Sequence, residues 1–114
     1  MVITKFEDII AWQKAQELAV VVYAAFDDCK DFSFKNQICR AAVSVSNNIA
    51  EGFDRSSDAD FVKFLYIAKA SCSEVRSMLY LAEKLKFTDC SAAIMELSKE
   101  VSRLMTGLIK SIKI

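Results

Sequence analysis

The chain has 114 residues, enough for one domain, with 54% apolar residues and fifteen basic side chains balanced by fifteen acidic ones. A formal net charge of zero lacks the global basic signature of a nucleic-acid-binding protein, and four cysteines without a C-x-x-C pair, in a chain with no histidine, argue against a zinc centre. Proline is absent and glycine occurs twice, where average usage would supply roughly five or six prolines and about eight glycines; a turn-rich β fold is excluded in favour of a few long helices.

Thr4 and Glu7 have capping-box spacing, and Phe6, Ile9, Ala15, Leu18, Val22 and Phe26 keep a helical beat, which predicts a first helix from about Lys5 to Asp28. The polar, aperiodic run Asp27 to Asp31 reads as a connection. The second helix is expected from about Ser33 to Gly52, with the glycine in the left-handed conformation that ends many helices. Ser57 and Asp60 read as the cap and first turn of a third helix that stays periodic to Phe87. Thr88 is expected to cap a fourth, carried through Ile94, Leu97, Val101, Leu104, Leu108 and Ile112. Long helices joined by a few residues must run antiparallel to their neighbours, so the chain is expected to be all-α, an antiparallel up-and-down four-helix bundle forming a single domain over residues 1–114. Its apolar fraction exceeds the usual ~45–50%, which implies apolar surface left over once one core is filled, and hence a homo-oligomer.

The longest apolar run, Leu18 to Phe26, is far short of the ~20 residues a membrane span needs. The N-terminal MVITKFED has an acidic turn where a signal peptide would be hydrophobic. A cytoplasmic protein is expected, with no membrane contact, its cysteines reduced and packed as small apolar residues.

The stretch RAAVSVSNNIAEGF, Arg40 to Phe53, combines helical apolar spacing with Ser44, Ser46, Asn47 and Asn48, residues whose side chains compete for the backbone. Ile38, Ala41, Ala42, Val45, Ile49 and Phe53 share the arc expected to face the core. Beside it, Cys39, Val43, Ser46 and Ala50 form a ridge of small or β-branched residues suited to close approach of a second helix, so the second helix is expected to pack on two sides. The remaining arc holds Gln37, Arg40, Ser44, Asn47, Asn48 and Glu51. A solvated face would favour lysine and glutamate, so Gln37, Arg40, Ser44, Asn48 and Glu51 read as a polar seam, either a structural hydrogen-bond network or a ligand site.

Catalysis finds little support. Glu51 with Asp54 or Asp58 offers acid and base without a nucleophile or a histidine, and no Gly-rich phosphate loop exists. Asp54, Asp58 and Asp60 are explained by a preference for negative charge at a helix start. No cofactor is implied and no enzyme is expected.

Charge is unevenly spread. Through Phe34 the balance is 3 − 6 = −3; from Phe61 onward nine basic residues face Glu74, Glu83, Asp89, Glu96 and Glu100, a balance of 9 − 5 = +4. Two stripes concentrate the excess. Lys99, Arg103, Thr106, Lys110 and Lys113 follow one face of the fourth helix, and Tyr66, Lys69, Ser73, Arg76 and Tyr80 one face of the third. Cations interleaved with aromatic rings suit phosphates and stacked bases, so Lys69, Arg76, Lys99, Arg103, Lys110 and Lys113 are the candidate contacts for RNA or DNA. Solvated helix faces are the plainer reading of either stripe alone.

FEDIIAWQKAQELA (Phe6 to Ala19), QICRAAVSVSNNIAEGF (Gln37 to Phe53), DFVKFLYIAKAS (Asp60 to Ser71) and LMTGLIKSIK (Leu104 to Lys113) together resemble the four-helix bundle family first noticed inside intervening sequences of bacterial large-subunit ribosomal RNA. That resemblance covers nearly the whole chain. It implies a homopentamer of up-and-down bundles and a kinship with the accessory variability determinant protein of diversity-generating retroelements, a basic pentamer that binds nucleic acid and a reverse transcriptase. The family pattern R-R-A-A-V-S-I-P-S-N-I-A-E-G is altered here by Cys39 for the first arginine, Ser46 for the proline and Asn47 for the serine after it. The leading expectation is a non-enzymatic oligomeric adaptor contacting nucleic acid or a nucleic-acid enzyme such as a reverse transcriptase; the alternative is a protein-interaction scaffold that binds no nucleic acid.

Overall fold

The computed structural model describes residues 2–88 and 91–112. Four helices account for most of them: α1, Ile10–Ala25; α2, Phe32–Phe53; α3, Asp58–Leu85; and α4, Ser91–Ser111. α1 packs on α2, α2 on α3, α3 on α4, and α4 back on α1, with α1 and α3, and α2 and α4, across the diagonals. This is the expected all-α up-and-down bundle. α3 sets its length: 28 residues at about 1.5 Å each make roughly 42 Å, and the molecule measures 43 × 21 × 19 Å.

Each helix buries one stripe, and the stripes meet in one cluster. α1 contributes Ala11, Ala15, Leu18 and Val22. On α2 the expected arc Ile38, Ala41, Ala42, Val45 and Ile49 is buried, while Phe53 is half-buried and edge-on to Phe61 at 5.6 Å. α3 adds Phe61, Leu65, Ala68, Cys72, Val75 and Leu79. Burying one large apolar side chain of this kind contributes about 1.5–3 kcal/mol. The α4 stripe is rotated from the expected line: Ile94, Met95, Ser98, Val101 and Met105 are buried, whereas Leu97, Leu104 and Leu108 are half-buried against the edge of the core. Leu104 and Leu108 instead line a recess with Ile3, Ile9 and Ile10 of the N-terminal segment.

Several expected helix boundaries are corrected by the structure. The first helix does not run unbroken from Lys5; a 3-10 turn, Phe6–Asp8, is separated from α1 by Ile9 in extended conformation (φ −77°, ψ 120°). On an unbroken helix Ile9 would lie roughly 120° from the Ala15 face. The break lets it bury to 3% exposure and sets Phe6 edge-on to Trp12 at 5.3 Å. The Thr4–Glu7 capping box does not form: Lys5 takes the cap position with no side-chain hydrogen bond, and the Gln13 amide donates to the Glu7 carbonyl at 2.9 Å. α1 ends at Ala25, before the expected Asp28.

α2 begins at Phe32, where the Asp31 carboxylate accepts from the Phe34 N–H at 3.0 Å. It ends at Phe53, and Gly52 is not left-handed. Gly52 is needed instead for proximity: a Cβ there would sit 2.5 Å from the Phe64 Cβ. Ser57 caps α3 as expected, accepting from the Asp60 N–H at 3.1 Å, and Asp58 and Asp60 fill the first turn. α3 stops at Leu85, two residues early, because Lys86 turns left-handed at φ 62°. The expected cap of the fourth helix at Thr88 is followed by Asp89 and Cys90, which lie outside the described residues, and α4 starts at Ser91, whose hydroxyl donates to the Glu83 carboxylate.

Candidate functional site

The polar seam divides into a bonded half and an open half. α2 lies between α1 and α3, so residues at its edges meet a neighbour and those between them meet solvent. Toward α3, the Ser44 and Ser71 hydroxyls are 2.9 Å apart. Asn48 donates to the Ser44 hydroxyl at 2.9 Å and to the Ser44 carbonyl at 2.8 Å, and Gln37 donates to the Glu74 carboxylate at 3.3 Å. Toward α1 lies the small-residue ridge, where Ser46 accepts from Gln16 at 2.9 Å. The helix that approaches this ridge is therefore α1 of the same chain, and the ridge does not by itself call for a second copy.

Arg40, Asn47 and Glu51 occupy the open strip and have no side-chain partner among the described residues. With Tyr23, Lys35 and Asn48 they line a groove of ≈ 550 Å³. Lys35 crosses one end, donating to the Asp27 carbonyl at 2.9 Å. Cys39 also borders the groove; burial pushes its thiol up, which withholds the reactive thiolate. No nucleophile and base meet here, so the groove offers hydrogen bonds and the charges of Lys35, Arg40 and Glu51.

Packing α3 on α4 brings the two basic stripes together. Arg76 of α3 and Lys99, Ser102, Arg103 and Thr106 of α4 line one groove of ≈ 420 Å³. Arg76 is steadied by donating to the Ser73 hydroxyl at 3.2 Å. Arg103 is exposed, with no side-chain partner among the described residues. Lys99 is shared: its ammonium lies 3.6 Å from Glu96. Farther up α3, Lys69 stands 6.0 Å from the centre of the Tyr66 ring, and Tyr66 and Tyr80 are both exposed. Lys110 continues the α4 face in solvent, outside the groove; Lys113 lies outside the described residues. Beneath the groove, Cys72 donates to the Ser98 carbonyl at 3.2 Å; burial pushes its thiol up, opposed by the Arg76 charge. Ser102 was not among the residues singled out from sequence. Its one signal is a position three after Lys99 and four before Thr106, beside the stripe.

The stripes and the seam thus sit on a fold whose helices match a known pattern. The model of the 23S rRNA-intervening sequence protein family matches residues 7–110. The chain belongs to that family. The 23S rRNA-intervening sequence protein family also frames the structural comparison: a protein with unknown function from the S23 ribosomal protein family of Bacteroides thetaiotaomicron superposes with a TM-score of 0.83 and 27% sequence identity, covering 89% of this chain and 99% of that one. No curated protein matches. Membership in the 23S rRNA-intervening sequence protein family indicates no catalytic class, and among the described residues no helix is long and apolar enough to cross a membrane.

Proposed function

We propose that the protein is a non-enzymatic, cytoplasmic adaptor, a single domain that assembles as a homo-oligomer, a pentamer on the family resemblance, and contacts RNA or DNA, or an enzyme acting on them, through the groove between α3 and α4. The observation that carries this reading is the convergence of Arg76, Lys99 and Arg103 on one cleft. Two cations on one helix face are ordinary, but a third from the neighbouring helix gives phosphates a place to be held from two sides. Ser102 and Thr106 supply hydroxyls on the cleft wall. Exposed Tyr66 and Tyr80 offer faces on which unpaired bases can stack, and the family name points to ribosomal RNA. Repetition around an oligomer multiplies the contacts and offsets the neutral charge of each chain.

The expected binding is sequence-tolerant and salt-sensitive. In an anisotropy titration of the intact oligomer with RNA and DNA, log affinity falls linearly with log salt, with a slope of about −0.7 per neutralised phosphate for single strands. Reversing Arg103 and Lys110 to glutamate abolishes binding and leaves the helical signal unchanged, because both are exposed. No binding of either nucleic acid at about 50 mM salt, where such contacts are strongest, gives the ground to the second reading, a protein-interaction scaffold. That reading is favoured by the exposed apolar residues Phe32, Ile67, Leu81 and Leu85.

A further inference from the structure

The break at Ile9 builds an apolar recess at the end of the bundle where α1 begins and α4 finishes. It lays the N-terminal segment beside α4, so that Ile3 and Ile9 line the recess together with Leu104 and Leu108, and Ile10 of α1 stands at its edge. These walls are aliphatic and only partly covered: Ile10 is 54% exposed, and Ile3, Leu104 and Leu108 are half-buried. Gly107 also lines the recess, and nothing lies within 4 Å of the point its Cβ would occupy. Part of the room is therefore owed to a missing side chain, and a long one at this position would take it up.

One charged residue belongs to the lining. Arg103, one turn before Gly107 on α4, borders both this recess and the α3–α4 groove. It is exposed, with no side-chain partner among the described residues. The other charges nearby in the chain do not line the recess. Lys5 and Lys110 stand against Glu7, Asp8 and Glu100, a balance of 2 − 3 = −1, and Lys14 is paired with Glu17 at 3.3 Å. Charges that reach a site only through water are weakened by solvent and salt, so the guanidinium that lines the recess decides which sign of ligand it favours.

We propose that this recess binds a small anionic amphiphile, an unbranched alkyl chain ending in a carboxylate, with the chain among the isoleucines and leucines and the carboxylate on Arg103. Three observations select this class. Apart from Arg103 the lining side chains offer no hydrogen bond, so the polar edge of a nucleobase would go unpaired among them at a cost that methylenes do not incur. The volume, ≈ 330 Å³, lies at the lower end of the roughly 300–1,000 Å³ of small-molecule sites; it suits one alkyl chain and not the helix of a partner protein. A guanidinium at the mouth matches a carboxylate with two parallel N–H donors, a geometry that neither an alcohol nor an amine can return. The site goes beyond the function proposed above and stands without it.

Calorimetric titration and amide NMR of the full-length protein with butyrate, octanoate, octanol and octylammonium, all below micelle-forming concentrations, test this. Octanoate should bind saturably and shift the amides of Leu104, Gly107, Leu108 and the N-terminal segment. Each methylene added between butyrate and octanoate should tighten binding by up to about fourfold. Octanol should bind about tenfold more weakly than octanoate, and octylammonium more weakly still. Gly107→Leu, which fills the recess, should remove octanoate binding. Arg103→Gln should erase the preference for octanoate over octanol while octanol still binds; as a change at an exposed residue, it decides the matter if circular dichroism shows Gly107→Leu to be unfolded. The proposal is overturned if no ligand saturates, if octanol or octylammonium binds the unaltered protein as tightly as octanoate, or if a folded variant binds octanoate as the unaltered protein does. It is equally overturned if the shifts spread to Val20, Tyr23, Ile67 and Leu81, exposed apolar residues elsewhere on the bundle, since that pattern is adsorption without a site.

Discussion

Gly52 faces α3 so closely that a methyl group there would come 2.5 Å from the Phe64 Cβ and 3.1 Å from Phe61 Cδ1, whereas nothing lies within 4 Å of the same point on Gly107. Both glycines are helical and neither has positive φ, so the two alanine substitutions separate packing from backbone entropy. Gly107→Ala is expected to stabilise by about 0.5–1 kcal/mol. Gly52→Ala must push α2 from α3 and is expected to cost about 1–3 kcal/mol. Urea unfolding of the two variants would contradict this account if their effects had the same sign. The seam permits a second contrast. Asn48 bonds to Ser44, which in turn meets Ser71, so Asn48→Leu leaves the Ser44–Ser71 pair short of a donor and is expected to lower stability by about 1–3 kcal/mol. Glu51 belongs by sequence to the same arc, but it is exposed and without a partner among the described residues; Glu51→Ala is expected to stay within about 0.5 kcal/mol of the parent. Equal losses in thermal melts would mean that Glu51 has a bonding role after all.

At the scale of the helix, Lys86 is the residue that ends α3, held at φ 62° with its N–H bonded back to Ala82 and Glu83 carbonyls. A left-handed lysine pays a steric cost that glycine does not, and Lys86→Gly is expected to stabilise by about 1 kcal/mol; a loss on chemical denaturation would mean that the lysine stem contributes packing beyond its backbone. Helix existence was legible because apolar residues recur at three and four along every segment, and Ser57 with Asp60 announced the start of α3. What escaped had a physical cause in each case. Phe6, Ile9 and Ile10 keep a helical beat, yet Ile9 reaches the core only if the helix breaks. Gly52 looks like a helix-ending glycine because close helix approach leaves no local signature. In α4 the buried line depends on where the N-terminal segment lays Ile3, Ile9 and Ile10, so Met95 and Met105 displaced Leu104 and Leu108 from the centre. Both basic stripes were readable one helix at a time; that Arg76 shares a groove with Lys99 and Arg103 follows only from the packing of α3 on α4.

For the molecule as a whole, the cyclic order of the helices has a kinetic consequence. Three of its four helix pairs join neighbours in sequence, and only α1 with α4 brings the two ends of the chain together. Local pairs form at small loop-closure cost and favour rapid folding, while the α1–α4 pair must close the longest loop. The barrier to folding is therefore expected to be crossed with the α2–α3 pair assembled and the seam against α4 still open. Leu104, which packs at that closure beside Ile3 and Ile9, should then act on the way out: Leu104→Ala speeds unfolding and leaves the refolding rate nearly unchanged, whereas Leu65→Ala on α3 slows refolding. Chevron plots in which Leu104→Ala retards refolding as strongly as Leu65→Ala would mean that the ends meet early. Otherwise the bundle opens along the line where it last closed, with α1 and α4 parting first.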